Sequence, residues 1–151
     1  MTTNIATTPS QSRRLLQCGV DPETADMSWV RGAANVSDGD LSLHPYLRMQ
    51  RINWQSMRGR SEITPAWSLS ALLALLPKEI AIDGYAYRIS IYFENPDEPV
   101  IGNQWCLYYK PKKHNEKCRI DDVPRYAPDL IECAVLMIEW LTANNYKLNE
   151  L

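Results

Sequence analysis

The sequence has few of the residues from which catalytic and metal centres are built. It contains two histidines and four cysteines, with no C-x-x-C pair, whereas a structural zinc site takes four thiolate or imidazole ligands at short spacings. Its six glycines are dispersed and form neither a G-x-G-x-x-G nor a P-loop pattern. These absences exclude the standard phosphate-binding loops and disfavour a zinc centre. We therefore assign no catalytic residue, no cofactor and no metal ion; the pattern favours a protein that is not an enzyme, with the question left open.

Long apolar runs and an excess of charge are also missing. The longest apolar run, around residues 69–76, is far shorter than the roughly 20 residues that span a bilayer, and the Thr- and Ser-rich N-terminus has no signal-peptide core. We therefore expect a cytoplasmic protein without membrane contact, with its cysteines as reduced thiols. Because the net charge is −2, binding to a polyanion would require a local basic patch.

One cysteine–histidine group nevertheless has short spacing. His114 and Cys118 are four residues apart, and Cys106 precedes His114 by eight. With a fourth ligand this group would suit zinc, and with a third, orienting group Cys118 and His114 would suit nucleophilic catalysis. The sequence indicates neither additional group, so a cysteine- or metal-dependent enzyme is kept only as a third alternative.

Apolar periodicity predicts two principal helices. In "TPAWSLSALLALLP" Thr64 is the expected N-cap and Pro65 the first helical residue, and the leucines that follow recur at helical spacing. A second helix is expected from Pro128 to about Asn144, with a wide apolar face. Both Asn144 and Asn145 are plausible stops for it.

A shorter helix and two strands complete the predicted elements. The helix is expected between Ser12, as a possible N-cap, and Gly19, as a possible C′ residue. Apolar alternation predicts strands at Tyr85–Glu94 and in "QWCLYYK", which we expect to pair antiparallel. A third strand is expected from Trp29-Val30, from residues 46–54 or from a second subunit, because two strands alone are marginal.

These elements indicate an α+β fold in which a small antiparallel sheet packs against two principal helices, as a two-layer sandwich. We expect residues 1–11 to form a disordered tail and residues 12–151 to form a single domain.

Two basic segments are the candidate nucleic-acid contacts, because arginine suits phosphate and aromatic rings stack on bases. The alternative is that both are solvated loops, with the lysines protecting a strand edge. The first segment, residues 44–60, contributes Arg48, Arg51, Trp54, Arg58 and Arg60. The second, residues 110–119, contributes Lys110, Lys112, Lys113, Lys117 and Arg119.

Three phrases, "LLQCGVDPETADMSW", "TPAWSLSALLALLP" and "DLIECAVLMIEWLTANNYKL", resemble a group of small proteins from phages and mobile elements of Bacteroides-type gut bacteria. The resemblance extends from about Leu15 to Leu148. That group has no established activity and no assigned catalytic residues. The resemblance therefore implies only a cytoplasmic accessory protein of a mobile element, with no site residue to transfer.

Two functions lead the interpretation of the sequence. The first is a non-enzymatic adaptor that binds another protein, with a homo-oligomer expected through its wide apolar helix face; the five Trp and eight Tyr against one Phe suit such interfaces. The second is a nucleic-acid-binding accessory protein that uses the two basic segments.

Overall fold

The computed structural model describes residues 5–31, 41–45, 62–93, 105–113 and 126–150. Helices and strands in this part of the chain confirm the predicted α+β class. In chain order they are α1 (Pro9–Gln17), a 3-10 turn (Pro22–Thr24), β1 (Met27–Arg31), β2 (Leu41–Pro45), β3 (Glu62–Ala66), α2 (Leu69–Leu75), β4 (Glu79–Ile82), β5 (Tyr85–Phe93), β6 (Trp105–Pro111), β7 (Tyr126–Ala127) and α3 (Leu130–Ala143). The chain divides into two compact units, Met1–Ala71 and Leu72–Leu151, and the single domain expected over residues 12–151 stays a prediction.

A three-stranded antiparallel sheet forms in the first unit, in the order β2-β1-β3. Its central strand contains Trp29 and Val30, so the predicted strand at these two residues is confirmed. It does not join the predicted strand pair, however, because β1 pairs on both sides with strands of its own sheet.

The predicted start of the leucine-rich helix is wrong. Thr64 and Pro65 lie in β3, and α2 begins at Leu69. A proline has no N–H to donate to a sheet, but β3 is an edge strand, where proline is tolerated. Ser68 takes the place of the expected cap, since its hydroxyl accepts a hydrogen bond from the N–H of Ala71 at 3.2 Å.

Helix α1 also begins earlier than Ser12, inside the segment predicted to be a disordered tail. Thr8 is its N-cap and Pro9 its first residue. The Thr8 hydroxyl accepts from the Gln11 N–H, and the Gln11 side chain accepts from the Thr8 N–H, at 3.2 and 2.9 Å. This capping box satisfies two N–H groups that the helix itself leaves unpaired. Gly19, with φ of +87°, ends the helix as predicted.

In the first unit, residues 25–27 ("ADM") are hydrogen-bonded to residues 65–68 ("PAWS"). The Asp26 carboxylate accepts hydrogen bonds from the Ser68 N–H at 2.8 Å and from the Ser68 hydroxyl at 2.5 Å. Trp67 is fully buried, and its indole N–H donates to the Thr24 hydroxyl at 2.9 Å. The Thr7 N–H donates to the Trp67 carbonyl at 2.9 Å, and the Thr7 hydroxyl accepts from the Trp67 N–H at 3.0 Å. These residues therefore build a core and a helix start.

The second unit contains a four-stranded antiparallel sheet in the order β4-β5-β6-β7. The predicted pairing of β5 with β6 is confirmed, and it runs from Tyr87 opposite Pro111 to Phe93 opposite Trp105. β4 adds to one side of this pair through a turn at Asp83 and Gly84, whose φ angles of +52° and +82° are left-handed.

Helix α3 packs against β6 and β7. The predicted helix and its end are confirmed, but it begins at Leu130 instead of Pro128, with Asp129 as the N-cap and Asn144 as the C-cap. Its inward residues are fully or almost fully buried, and they are Ile131, Cys133, Ala134, Val135, Met137, Ile138 and Leu141. Leu107 and Tyr109 of β6 are equally buried. The Tyr109 phenol donates to the Pro77 carbonyl at 2.6 Å, and burial raises its pKa.

The segment after α3 turns back and closes the end of α2. The Asn149 N–H donates to the Leu75 carbonyl at 2.9 Å, and its side-chain amide donates to the carbonyls of Ala74 and Leu76 at 3.0 Å each. The last carbonyls of a helix have no partner within the helix. Asn149 therefore supplies a C-terminal cap to α2 from a distant part of the sequence.

Candidate nucleic-acid interface

The β4-β5-β6 part of the second sheet has two faces of opposite character. Side chains alternate along a strand, and the strand register assigns Tyr87, Leu107 and Tyr109 to one face, where all three are buried. We call the opposite side the outer face. In the order of the chain, its residues are Glu79, Ala81, Ala86, Arg88, Ser90, Tyr92, Cys106, Tyr108 and Lys110.

The outer face is accessible over β4 and the adjoining halves of β5 and β6. Glu79, Ala81, Arg88 and Lys110 are exposed, and Tyr92 is 39% exposed. Of the described residues on this face, only Cys106 is fully buried. The accessible area is therefore polar and aromatic.

A row of charged residues crosses the outer face. In the strand register, Glu79 on β4 lies directly opposite Arg88 on β5, and Arg88 lies directly opposite Lys110 on β6. Like charges directly opposite each other in a sheet are destabilising. Arg88 lies on a strand paired on both sides, so protection of a sheet edge does not account for its charge.

Lys112 adds a third cation beside this row. Its ammonium group is 3.4 Å from a Glu79 carboxylate oxygen. Both side chains are about half exposed, so the ion pair contributes little to stability. Among the described residues, three cations (Arg88, Lys110 and Lys112) and one anion (Glu79) thus lie on or beside this part of the face, an excess of two positive charges.

Two tyrosines stand next to the charged row on the same face. Tyr108 is opposite Ser90, two register positions from the pair formed by Tyr92 and Cys106 and therefore next to it on this face. The Tyr92 and Tyr108 rings are 5.7 Å apart between centroids, at an angle of 81°. Edge-to-face contact of this kind is favourable for aromatic pairs. It forms a right-angled corner with a ring on each side, and we call it the tyrosine corner.

Of the ten predicted nucleic-acid contacts, three lie in the described residues. Lys110, Lys112 and Lys113 are all exposed, and the first two come together on the outer face. The others fall outside the described residues: Arg48, Arg51, Trp54, Arg58, Arg60, Lys117 and Arg119. Sequence reasoning missed Arg88, Tyr92 and Tyr108, although strand alternation already separated Arg88 from the apolar side of β5.

The two described cysteines of the second unit, Cys106 on β6 and Cys133 on α3, do not offer a reactive thiol. Cys106 and Cys133 are buried, and the Cys133 thiol donates to the Trp105 carbonyl at 3.3 Å. Burial raises the pKa of Cys133 from 9.0 to about 11, so this thiol stays protonated at neutral pH and is a poor nucleophile. His114 and Cys118 lie outside the described residues. Within those residues, no three His, Cys, Asp or Glu side chains are grouped to hold a metal ion.

An apolar patch lies on the other face at the end of β5. Ile91 is 39% and Phe93 47% exposed, and the Phe93 ring makes an edge contact with Trp105, with 5.2 Å between the ring centroids.

None of the helices in the described ranges is long and apolar enough to cross a membrane.

Comparison with known proteins adds no relative of this chain. The scan against family models finds no match, and the searches of curated proteins and of solved structures find no significant match.

Proposed function

We propose that this protein is a non-catalytic accessory protein that binds nucleic acid through the outer face. The observation that carries the proposal is the position of Arg88 directly opposite Lys110 on the neighbouring strands β5 and β6. Two exposed cations held side by side repel each other, and an anion between them removes that repulsion. A phosphate group suits this position, because Arg and Lys are the usual phosphate ligands in nucleic-acid complexes.

The local excess of positive charge supports binding despite the chain's net charge of −2. Electrostatic attraction acts over a Debye length of about 8–10 Å in physiological salt. A ligand at the outer face therefore responds to Arg88, Lys110 and Lys112 more than to distant acidic residues. Lys112 would be shared between Glu79 and the ligand.

Neutralising the cationic pair tests this proposal. The double variant Arg88→Gln/Lys110→Gln should bind a labelled oligonucleotide at least tenfold more weakly than the wild type at 50 mM salt. The slope of log K against log salt should also flatten by about 1.4, since each lost phosphate contact to a single strand contributes about 0.7. Fluorescence anisotropy at salt concentrations from about 50 to 200 mM would measure both effects.

Arg13→Gln/Lys147→Gln is the matched control, because it removes one exposed Arg and one exposed Lys outside the outer face. It should bind like the wild type. Equal losses in the two double variants would mean that only total charge matters, and the outer face would then not be the binding surface.

An adaptor that binds protein, as a homo-oligomer, is the second candidate, favoured by the exposure of Ile91 and Phe93. Exposed apolar groups that cluster are typical of interaction sites. If this patch joins two copies, the wild-type mass in sedimentation equilibrium should rise with concentration, and Phe93→Ser should reduce that rise. A monomer at all concentrations would contradict self-association through this patch. The mobile-element role implied by the resemblance is compatible with either candidate.

A further inference from the structure

We infer that the tyrosine corner stacks unpaired bases, which would make the ligand of the outer face a single-stranded nucleic acid. This inference rests on the proposed function and names its ligand class. The cationic pair supplies attraction to phosphate, which any nucleic acid offers. The tyrosines add a contact that only some nucleic acids can make.

The register sets the two kinds of side chain next to each other. Along β6, Tyr108 and Lys110 are two residues apart on the same face, and along β5 Arg88 and Tyr92 are four apart. With a rise of about 3.4 Å per residue, Tyr108 lies about 7 Å from the cationic pair along the sheet. A phosphate between Arg88 and Lys110 therefore leaves a neighbouring base within reach of the tyrosines.

The geometry of the corner suits a flat ring. Because Tyr92 and Tyr108 are inclined at 81°, a base that stacks on one ring can bring its edge to the other. Stacking of a base on an aromatic side chain contributes substantially and does not depend on base identity. Both positions have some solvent access, since Tyr92 is 39% exposed and Tyr108 is half-buried.

Duplexes cannot use the corner in this way. Their bases are stacked on one another and present only edges in the grooves. Proteins that stack bases on the surface of a β-sheet accordingly take single strands or loops. A duplex on the outer face would contact only the cations, so it should bind more weakly than a single strand of the same length.

Charge complementarity favours this ligand over a protein at the same face. Stacking on tyrosine alone would also suit an aromatic peptide. The adjacent excess of two positive charges favours a polyanion whose anionic groups and rings alternate along the chain. Single-stranded DNA and RNA share this chemistry.

The test uses the full chain and labelled 12-mers of oligo-dT, oligo-U and a mixed-sequence DNA duplex, by fluorescence anisotropy at 50 mM salt. The wild type should bind one or both single strands at least fivefold more tightly than the duplex. Tyr92→Leu/Tyr108→Leu, which keeps apolar bulk but removes the aromatic rings, should weaken single-strand binding at least tenfold. It should leave both the salt slope and duplex binding unchanged.

Tyr85→Leu is the control, because Tyr85 is a similarly exposed tyrosine (37%) of β5 on the opposite face. It should bind like the wild type. The comparison of single strand with duplex needs only the wild type, so it decides the question even if the double leucine variant does not fold. A preference for oligo-U over oligo-dT would identify RNA as the source, and the reverse would identify DNA.

The outcomes separate this inference from the proposed function. Equal binding of single strand and duplex that depends on Arg88 and Lys110 would overturn the inference and retain the proposed function. Binding of none of the three oligonucleotides would overturn both.

Discussion

Replacing Trp67 with alanine should lower the free energy of unfolding of the first unit by about 3–5 kcal/mol, the usual range for a buried tryptophan. The side chain has no solvent exposure, so its removal leaves a cavity that close packing cannot fill. The loss is a large part of the 5–15 kcal/mol that stabilises a typical domain. Urea denaturation followed by far-UV circular dichroism would measure it without relying on tryptophan fluorescence.

Trp67→Phe serves as the graded control for this prediction. It keeps an aromatic ring but removes the indole N–H that bonds the Thr24 hydroxyl at 2.9 Å. Part of the ring volume and one hydrogen bond are lost, so the destabilisation should be clearly smaller than for alanine. A Trp67→Ala variant within about 1 kcal/mol of the wild type would contradict a core role for this residue.

In the second unit, Leu107→Ala should cost about 2–5 kcal/mol. Leu107 is fully buried on β6, the strand against which α3 packs. Truncation removes apolar contacts and leaves a cavity in the sheet's inner face. The midpoint of urea denaturation should fall with little change in slope, since the surface exposed on unfolding is almost the same.

Ile91→Ala is a closely matched control, because Ile91 lies directly opposite Leu107 in the sheet and has the same number of side-chain carbon atoms. It is 39% exposed, so the apolar area that it removes from water is smaller. Its cost should therefore be less than half that of Leu107→Ala. Equal costs would mean that the two positions are equally packed in solution.

Elements that depend on local pattern could be predicted from the sequence. The alternation in β5 and β6 and the apolar periodicity of α3 each predicted the correct element. Gly19 and Asn145 were expected at helix ends, and both adopt positive φ angles there. Such signals are reliable because a strand face, a helix stripe or a left-handed residue depends mainly on adjacent residues.

The rule that Thr followed by Pro begins a helix was applied to the wrong one of two Thr-Pro pairs. At Thr64-Pro65 it predicted a helix start, but pairing with β1 makes these residues an edge strand. At Thr8-Pro9 it holds, and Gln11 three residues after Thr8 completes a capping box that the sequence could have revealed. A Thr-Pro pair suits both a helix start and a strand edge, and only the distant partner strand decides between them.

The sequence predicted two of the lysines at the candidate site but not the residues that lie next to them in the sheet. Lys110 and Lys112 were selected because they lie in a basic run, whereas Arg88 stands alone in the sequence and becomes relevant only through its register with Lys110. Registers between strands depend on long-range pairing that a single sequence does not display. The tyrosine corner was hidden for the same reason, since its two rings come from different strands.

The bond network of Asn149 has a consequence for the order of folding. Asn149 closes the end of α2 across 73 to 75 residues of chain. Contacts so distant in sequence form slowly, because the intervening loop must first lose entropy. On the ribosome, α2 emerges long before Asn149 is made, and its last carbonyls must bond to water or other groups meanwhile. The second unit therefore reaches its final hydrogen bonding only after Asn149 has been made.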